Sequence, residues 1–349
     1  MSTLHVEITG TGTDLVLLHG WGLNMRVWDG LLPALSLRFR VITVDLPGHG
    51  RSSSVNARTP AERSWLVHQT LAPLSHRYSL LGWSLGGQIA LDLAAAVPAQ
   101  IERLVLVATT AKFAAAPGWA CGMSAETLTQ LASQLRANSR LTVQDFLNLQ
   151  ARGSLRSDYV RAQLHGALSA QGHADPHALS RALESLAHSD LRASLSHVRV
   201  PTLVVSGQND RITPPAASRA LARALPKGQY VELRQAGHAP FLSHEREFAQ
   251  LLEKFLRPRR RRARKLQRAS PKTRGRKNKR AASGKRKRAG AKILSRRARA
   301  ARTAKVARTA KVARGARADR TVKVARTARA ASSQPSSRRR TRRTRSRTR

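Results

Sequence analysis

Up to residue 256 the chain alternates short apolar runs with turn residues. The runs fall at positions 15–18, 41–44, 80–81, 104–107, 203–205 and 230–233. Their hydrophobicity is continuous rather than alternating, which predicts strands buried on both faces, as in a parallel sheet. Helix-like stretches lie between several of them. One, residues 88–96, places Ile89, Leu91, Leu93 and Ala94 after a glycine-rich turn and is closed by Pro98. Strands alternating with helices predict an α/β fold, a mostly parallel central sheet with helices on both faces.

Residues 111–195 break that rhythm. Leucines recur there at helical spacing, as in Leu128, Leu131 and Leu135, then Leu179, Leu183 and Leu186, with no strand-like run among them. The expectation is a helical lid inserted after the sixth strand, lying over the carboxyl edge of the sheet. Open α/β sheets bind their ligands at that edge.

Charge divides the chain in two. Of 64 Lys and Arg residues, 40 lie from Arg257 onward, against a single acid, Asp319, which leaves residues 1–256 with 24 basic and 18 acidic residues. The expected organisation is a folded domain over 1–256 and a disordered Lys/Arg/Ala-rich tail over 257–349, which has too few large apolar side chains to bury a core. Cys121 is the only cysteine, which rules out an intramolecular disulfide and fits a reducing compartment. The opening residues lack the basic start and apolar run of a signal peptide, and no stretch is apolar enough for a membrane span. A soluble cytoplasmic protein, a monomer, is the expectation.

Candidate chemistry begins at residues 82–86, which read GWSLG. This matches G-x-S-x-G, the strained strand-to-helix turn that lifts a serine hydroxyl above a sheet. A serine nucleophile needs a base to take its proton and an acid to fix the tautomer of that base, in the chain order Ser, Asp/Glu, His. Residues 206–214, SGQNDRITP, follow a predicted strand and deliver Asp210, and residues 234–241, RQAGHAPF, follow the last strand and deliver His238. His19 precedes the nucleophile, and His244 sits at a helix start. Asp175 and Asp190 fall in the helical insertion, and the loop after 104–107 offers no carboxylate. The predicted triad is Ser84, His238 and Asp210. Its oxyanion hole would combine the N–H of Leu85 with that of Trp21, in the loop HGWGLN at 19–24. Residues 45–52, DLPGHGRS, read as a structural turn.

Together HGWGLN, DLPGHGRS, GWSLGG, GQNDRITP and AGHAPFLSH make the chain similar, over about residues 4–256, to the pimeloyl-[acyl-carrier protein] methyl ester carboxylesterases of biotin synthesis, which have the α/β-hydrolase fold. The resemblance implies hydrolysis of the methyl ester of the carrier-bound acyl chain to a carboxylate and methanol, with no metal or organic cofactor. It also implies an acyl site formed by Trp21, Trp83 and the lid residues Phe146, Leu147, Asn148, Leu149 and Gln150. An acidic carrier protein calls for a basic docking face. Candidates are Arg136, Arg140, Arg152, Arg156 and Arg161, where the 136/140 and 152/156 spacings would put each pair on one helix face. These arginines do not fall in register with those of the family. A broad short-chain carboxylesterase remains the alternative within the same chemistry.

In the tail, ARTAKV recurs at 301–306 and 307–312, and basic residues fall at every third position from Arg302 to Arg329. The composition is similar to histone H1-like tails and predicts salt-dependent, non-specific binding to DNA or RNA. Without aromatics, sequence-specific base stacking is not expected. A protein whose function is nucleic-acid association through this tail is the third reading.

Overall fold

The computed structural model describes residues 3–257. Expectations for the tail beyond Arg257 lie outside the described residues. In chain order the elements are β1 (Val6–Thr9), β2 (Thr13–Leu18), α1 (Leu32–Leu35), β3 (Phe39–Val44), α2 (Pro60–Leu71), β4 (Tyr78–Trp83), α3 (Leu85–Ala96) and β5 (Ile101–Val107). Then follow α4 (Ala125–Ala137), α5 (Ser139–Ala151), α6 (Ser157–Gln171) and α7 (Pro176–His188). The chain returns through β6 (Thr202–Gly207), α8 (Pro215–Ala224) and β7 (Gly228–Leu233) to α9 (Pro240–Ser243) and α10 (Glu245–Leu256).

The strands form one seven-stranded sheet in the order β1-β3-β2-β4-β5-β6-β7. Only β1 is antiparallel, pairing Val6 with Val44 through Thr9 with Val41. Every residue of β4 and of β6 is buried, as the continuous apolar runs require of strands covered on both faces. The crossover β4–α3–β5 follows the motif serine and β6–α8–β7 follows the motif aspartate, so both loops open at the carboxyl edge of the sheet. Among the described residues no helix is long and apolar enough to cross a membrane.

Helices α4–α7 form the lid. It follows the fifth of the seven strands, not the sixth, because β1 is the only strand ahead of the parallel series. Three of its helices, α4, α5 and α7, start on side-chain caps, with Ser124 accepting from Thr127 N, Asn138 from Leu141 N and Asp175 from Ala178 N. Those caps overturn one expectation about the arginines. Asn138 separates α4 from α5, so Arg136 and Arg140 belong to different helices. Gly153 at φ +77° and Arg156 at φ +60° break the chain between α5 and α6, so Arg152 and Arg156 likewise share no helix face.

Candidate active site

The turn after β4 holds Ser84 at φ 54° and ψ −113°, a backbone region that costs a non-glycine residue roughly 1–3 kcal/mol. The two motif glycines make the turn sterically possible. A methyl group on Gly82 would meet the carbonyl oxygen of Gly86, and one on Gly86 would meet those of Leu18 and His19. Hydrogen bonds over-determine the strained residue. Ser84 N donates to Val107 O (2.9 Å), while Ser84 O accepts from Thr109 Oγ1 (2.7 Å) and Gly87 N (3.0 Å).

His238 and Asp210 arrive on the loops after β7 and β6. His238 Nε2 lies 3.0 Å from Ser84 Oγ, and Nδ1 lies 2.8 Å from Asp210 Oδ2. The other carboxylate oxygen, Oδ1, accepts from Ile212 N (2.8 Å) and Thr213 N (2.9 Å). Asp210 therefore serves as acceptor for the imidazole Nδ1–H, which leaves Nε2 free to take the serine proton. All three residues are buried. A hydroxyl, an imidazole and a carboxylate in one hydrogen-bonded line can carry out acyl transfer through a covalent intermediate.

The lid reaches directly into this machinery. Between α5 and α6 the chain passes as a strap across the loop that carries His238. His238 N donates to Gln150 O (3.3 Å), Gly237 N to Ser154 Oγ (3.0 Å), and Leu155 N to Gln235 O (2.6 Å). Asn209, next to the acid, donates from Nδ2 to Gly153 O (2.8 Å). A side chain at Gly237 would collide with Ser154 and the Arg152 carbonyl, so the strap and the catalytic loop fit only with glycine there.

The other site residues singled out from the sequence fall around this centre. Trp21 is buried, its indole donating to Leu179 O on α7 (3.0 Å), and Phe146 meets its ring edge-on at 5.1 Å. Trp83 is wholly buried. Its indole N–H donates to His238 O (2.8 Å) and its ring packs 5.6 Å from the His238 ring, so it braces His238. Leu147 is buried and Leu149 half-buried, while Asn148 Oδ1 pairs with His165 Nε2 (3.0 Å). Leu85 opens α3, with its N–H at the helix N-terminus. Arg161 pairs with Asp158 (3.0 Å), and Arg136 and Arg140 border one surface cavity with His177.

Sequence reasoning missed several participants. The crevice at Ser84 itself has no room for a water-sized molecule and is lined by Gln88, Thr109, Thr110, Phe113, Leu186 and Thr213. Phe113 and Leu186 are brought there by tertiary folding and carry no motif. His19 and His49 are a second omission, for the turn 45–52 is built on them. Burial lowers His19 to about 4, and burial together with the nearby His19 lowers His49 to about 3. As neutral rings 5.4 Å apart they cross-brace the loop carrying Trp21. His19 Nε2 accepts from Leu46 N (3.0 Å), and His49 Nε2 accepts from Gly22 N (3.3 Å).

That pair predicts an acid-labile fold. Unfolded histidines take up protons near pH 6.5, but these two, when folded, do not until about pH 4 and 3. The unfolded chain thus binds more protons in that window, and stability falls as pH drops from 6.5 toward 4. Each histidine contributes on the order of 3 kcal/mol to the fall. Urea unfolding between pH 7 and pH 4 should show this slope, and His49→Gln should flatten it. An unchanged slope in that variant would refute the neutral pair.

Sheet order, nucleophile turn and triad together define a serine hydrolase of the α/β-hydrolase class, and a family profile described as alpha/beta hydrolase fold matches residues 14–245. Among solved structures, an esterase from Exiguobacterium antarcticum superposes with a TM-score of 0.67, covering 74% of this chain and 100% of that one at 22% identity, a likeness of fold. Sequence relatives are nearer. The pimeloyl-[acyl-carrier protein] methyl ester esterase of Nitrosomonas europaea is 40% identical over 248 residues, 71% of this chain and 97% of the relative. That of Aliivibrio salmonicida is 38% identical over 257 residues, 74% and 97% respectively. The chain belongs to the family of these esterases.

Proposed function

We propose that the protein is a serine carboxylesterase that hydrolyses the methyl ester of pimeloyl-[acyl-carrier protein] methyl ester in biotin synthesis. The observation that carries this reading is the Ser84–His238–Asp210 line lying under a helical lid, in a chain related to those esterases over nearly their full length.

Ser84 Oγ attacks the ester carbonyl carbon while His238 Nε2 takes its proton. The tetrahedral oxyanion is met by the N–H groups of Leu85 and Trp21. Methoxide leaves as methanol with the proton from His238. Water, deprotonated by the same imidazole, then attacks the acyl-serine and releases the carboxylate. Asp210 stabilises the imidazolium formed in each half-reaction. Every group in the sequence is a side chain or amide of this chain.

The Ser84 cavity is too small for a seven-carbon chain, so binding requires lid side chains beside it, Leu186 among them, to move aside. Trp21, Phe146 and Leu149 would then border the aliphatic part. Arg136, Arg140, Arg152, Arg156 and Arg161 lie on or beside the lid helices, where an acidic carrier would find complementary charge.

The test is methanol release from methyl-pimeloyl carrier protein, compared with dimethyl pimelate and a short p-nitrophenyl ester. The proposal requires the highest kcat/KM on the carrier-bound ester. Equal or faster turnover of the free esters would leave a broad esterase in its place.

A further inference from the structure

Arg63 sits on α2 and is only 3% exposed. Taking a guanidinium out of water costs several kcal/mol unless a counter-charge meets it. Among the described residues no carboxylate lies within 4.0 Å of Arg63, and the one negative charge that favours its charged form, Glu62, acts only from farther away. Its chain neighbour Glu62 faces the surface and is engaged by Arg58, whose N–H donates to Glu62 Oε2 (2.8 Å). Burial, and after it the nearby Arg181, lowers Arg63 to about 10, which Glu62 only partly offsets.

Arg63 borders a cavity of about 280 Å³ between α2, α3 and the end of α7. The cavity wall is mostly apolar, with Leu85, Ile89 and Leu191, and Ser64 and Ser189 lie beside Arg63 in it, while Gln88 Nε2 and Ser185 Oγ donate to Thr110 O and Arg181 O. Asp92 also borders it. A buried cation beside hydroxyls and an aliphatic wall matches a molecule with an anionic head and a hydrocarbon stem. The guanidinium fork suits a carboxylate's two oxygens. Asp92 weighs against a dianion such as phosphate, because it would place like charges in one cavity.

We propose that this cavity is a binding site for an aliphatic monocarboxylate, held by Arg63. The site is separate from the triad. It shares Leu85 with the predicted oxyanion hole and Gln88 with the Ser84 cavity, so its occupant lies beside the catalytic centre. An aliphatic carboxylate is also the chemical class that ester hydrolysis releases. The binding claim itself rests only on Arg63 and its surroundings, not on the assigned substrate.

Isothermal titration of the full chain with heptanoate, inorganic phosphate and heptanol tests it. Heptanoate should bind, with phosphate and heptanol at least about tenfold weaker, and Arg63→Met should weaken heptanoate by about tenfold or more. Binding of heptanoate unchanged in Arg63→Met, or matched by heptanol or phosphate, would overturn the site. Asp92→Asn supplies a second reading that does not depend on Arg63→Met folding. If the cavity awaits an anion from outside, removing the Asp92 charge tightens heptanoate binding. If Asp92 is instead the counter-ion of Arg63, Asp92→Asn lowers the unfolding temperature with no gain in binding, and the proposal fails.

Discussion

Ser84→Ala is expected to lower kcat for ester hydrolysis by about four to six orders of magnitude while leaving the fold intact. The chemical loss follows from the absence of any second nucleophile on the imidazole, since His238 Nε2 faces Ser84 Oγ and nothing else. Retention of the fold follows from the way the turn is held. Backbone groups and Thr109 fix residue 84, and none of those bonds uses its hydroxyl. Alanine carries the same cost at φ 54° that serine does, so stability should change by no more than about 1 kcal/mol. Methanol release and thermal unfolding, measured on the same preparation, check both halves. Turnover within tenfold of the parent would remove Ser84 from the mechanism.

Asp210→Asn should cost about 10⁴-fold in kcat, for a different reason. An asparagine carbonyl at the Oδ1 position still accepts from Ile212 N and Thr213 N, so the loop keeps its shape. The amide NH₂ then faces His238 Nδ1 where a carboxylate stood at 2.8 Å. Nδ1 must become the acceptor, which moves the ring proton to Nε2 and points it at the serine. A base already carrying its proton cannot take another at neutral pH. The deficit should shrink at alkaline pH, where serine ionisation no longer needs the imidazole. A variant within tenfold of the parent at pH 7 would show that another carboxylate orients His238.

Much of this arrangement was legible in the sequence for a physical reason. Ser84 and Asp210 each follow a parallel strand buried along its whole length, β4 and β6, and such strands announce themselves as apolar runs that need no knowledge of their neighbours; His238 follows the edge strand β7, which is mostly half-buried, and is legible instead from its place in the chain order Ser, Asp, His. The edge strand β1 escaped notice because it is short and exposed at its end, so Val6 and Ile8 make no continuous run. The arginine pairs misled because i, i+4 spacing has meaning only inside one helix, and Asn138 and Gly153 end the helices between them. Phe113, Leu186 and Ser154 carry no local signature. Their roles come from segments far apart in the chain meeting at the sheet edge. Arg63 is a like case, an ordinary helix residue by sequence whose isolation becomes visible only when its surroundings are assembled.

The strap between α5 and α6 limits how the lid can open. Gln150, Gly153, Ser154 and Leu155 are fastened to the same two loops that present His238 and Asp210. Lifting that end would pull the base out of line with the serine, so a productive opening must pivot about the strap and leave it seated. On α6, Ala167 O accepts from Asn24 Nδ2, and α7 is held through Trp21 at Leu179. Among the described residues α4 is thus the lid helix whose hydrogen bonds all stay inside the lid, while the strap ties the other end of the lid to the catalytic line.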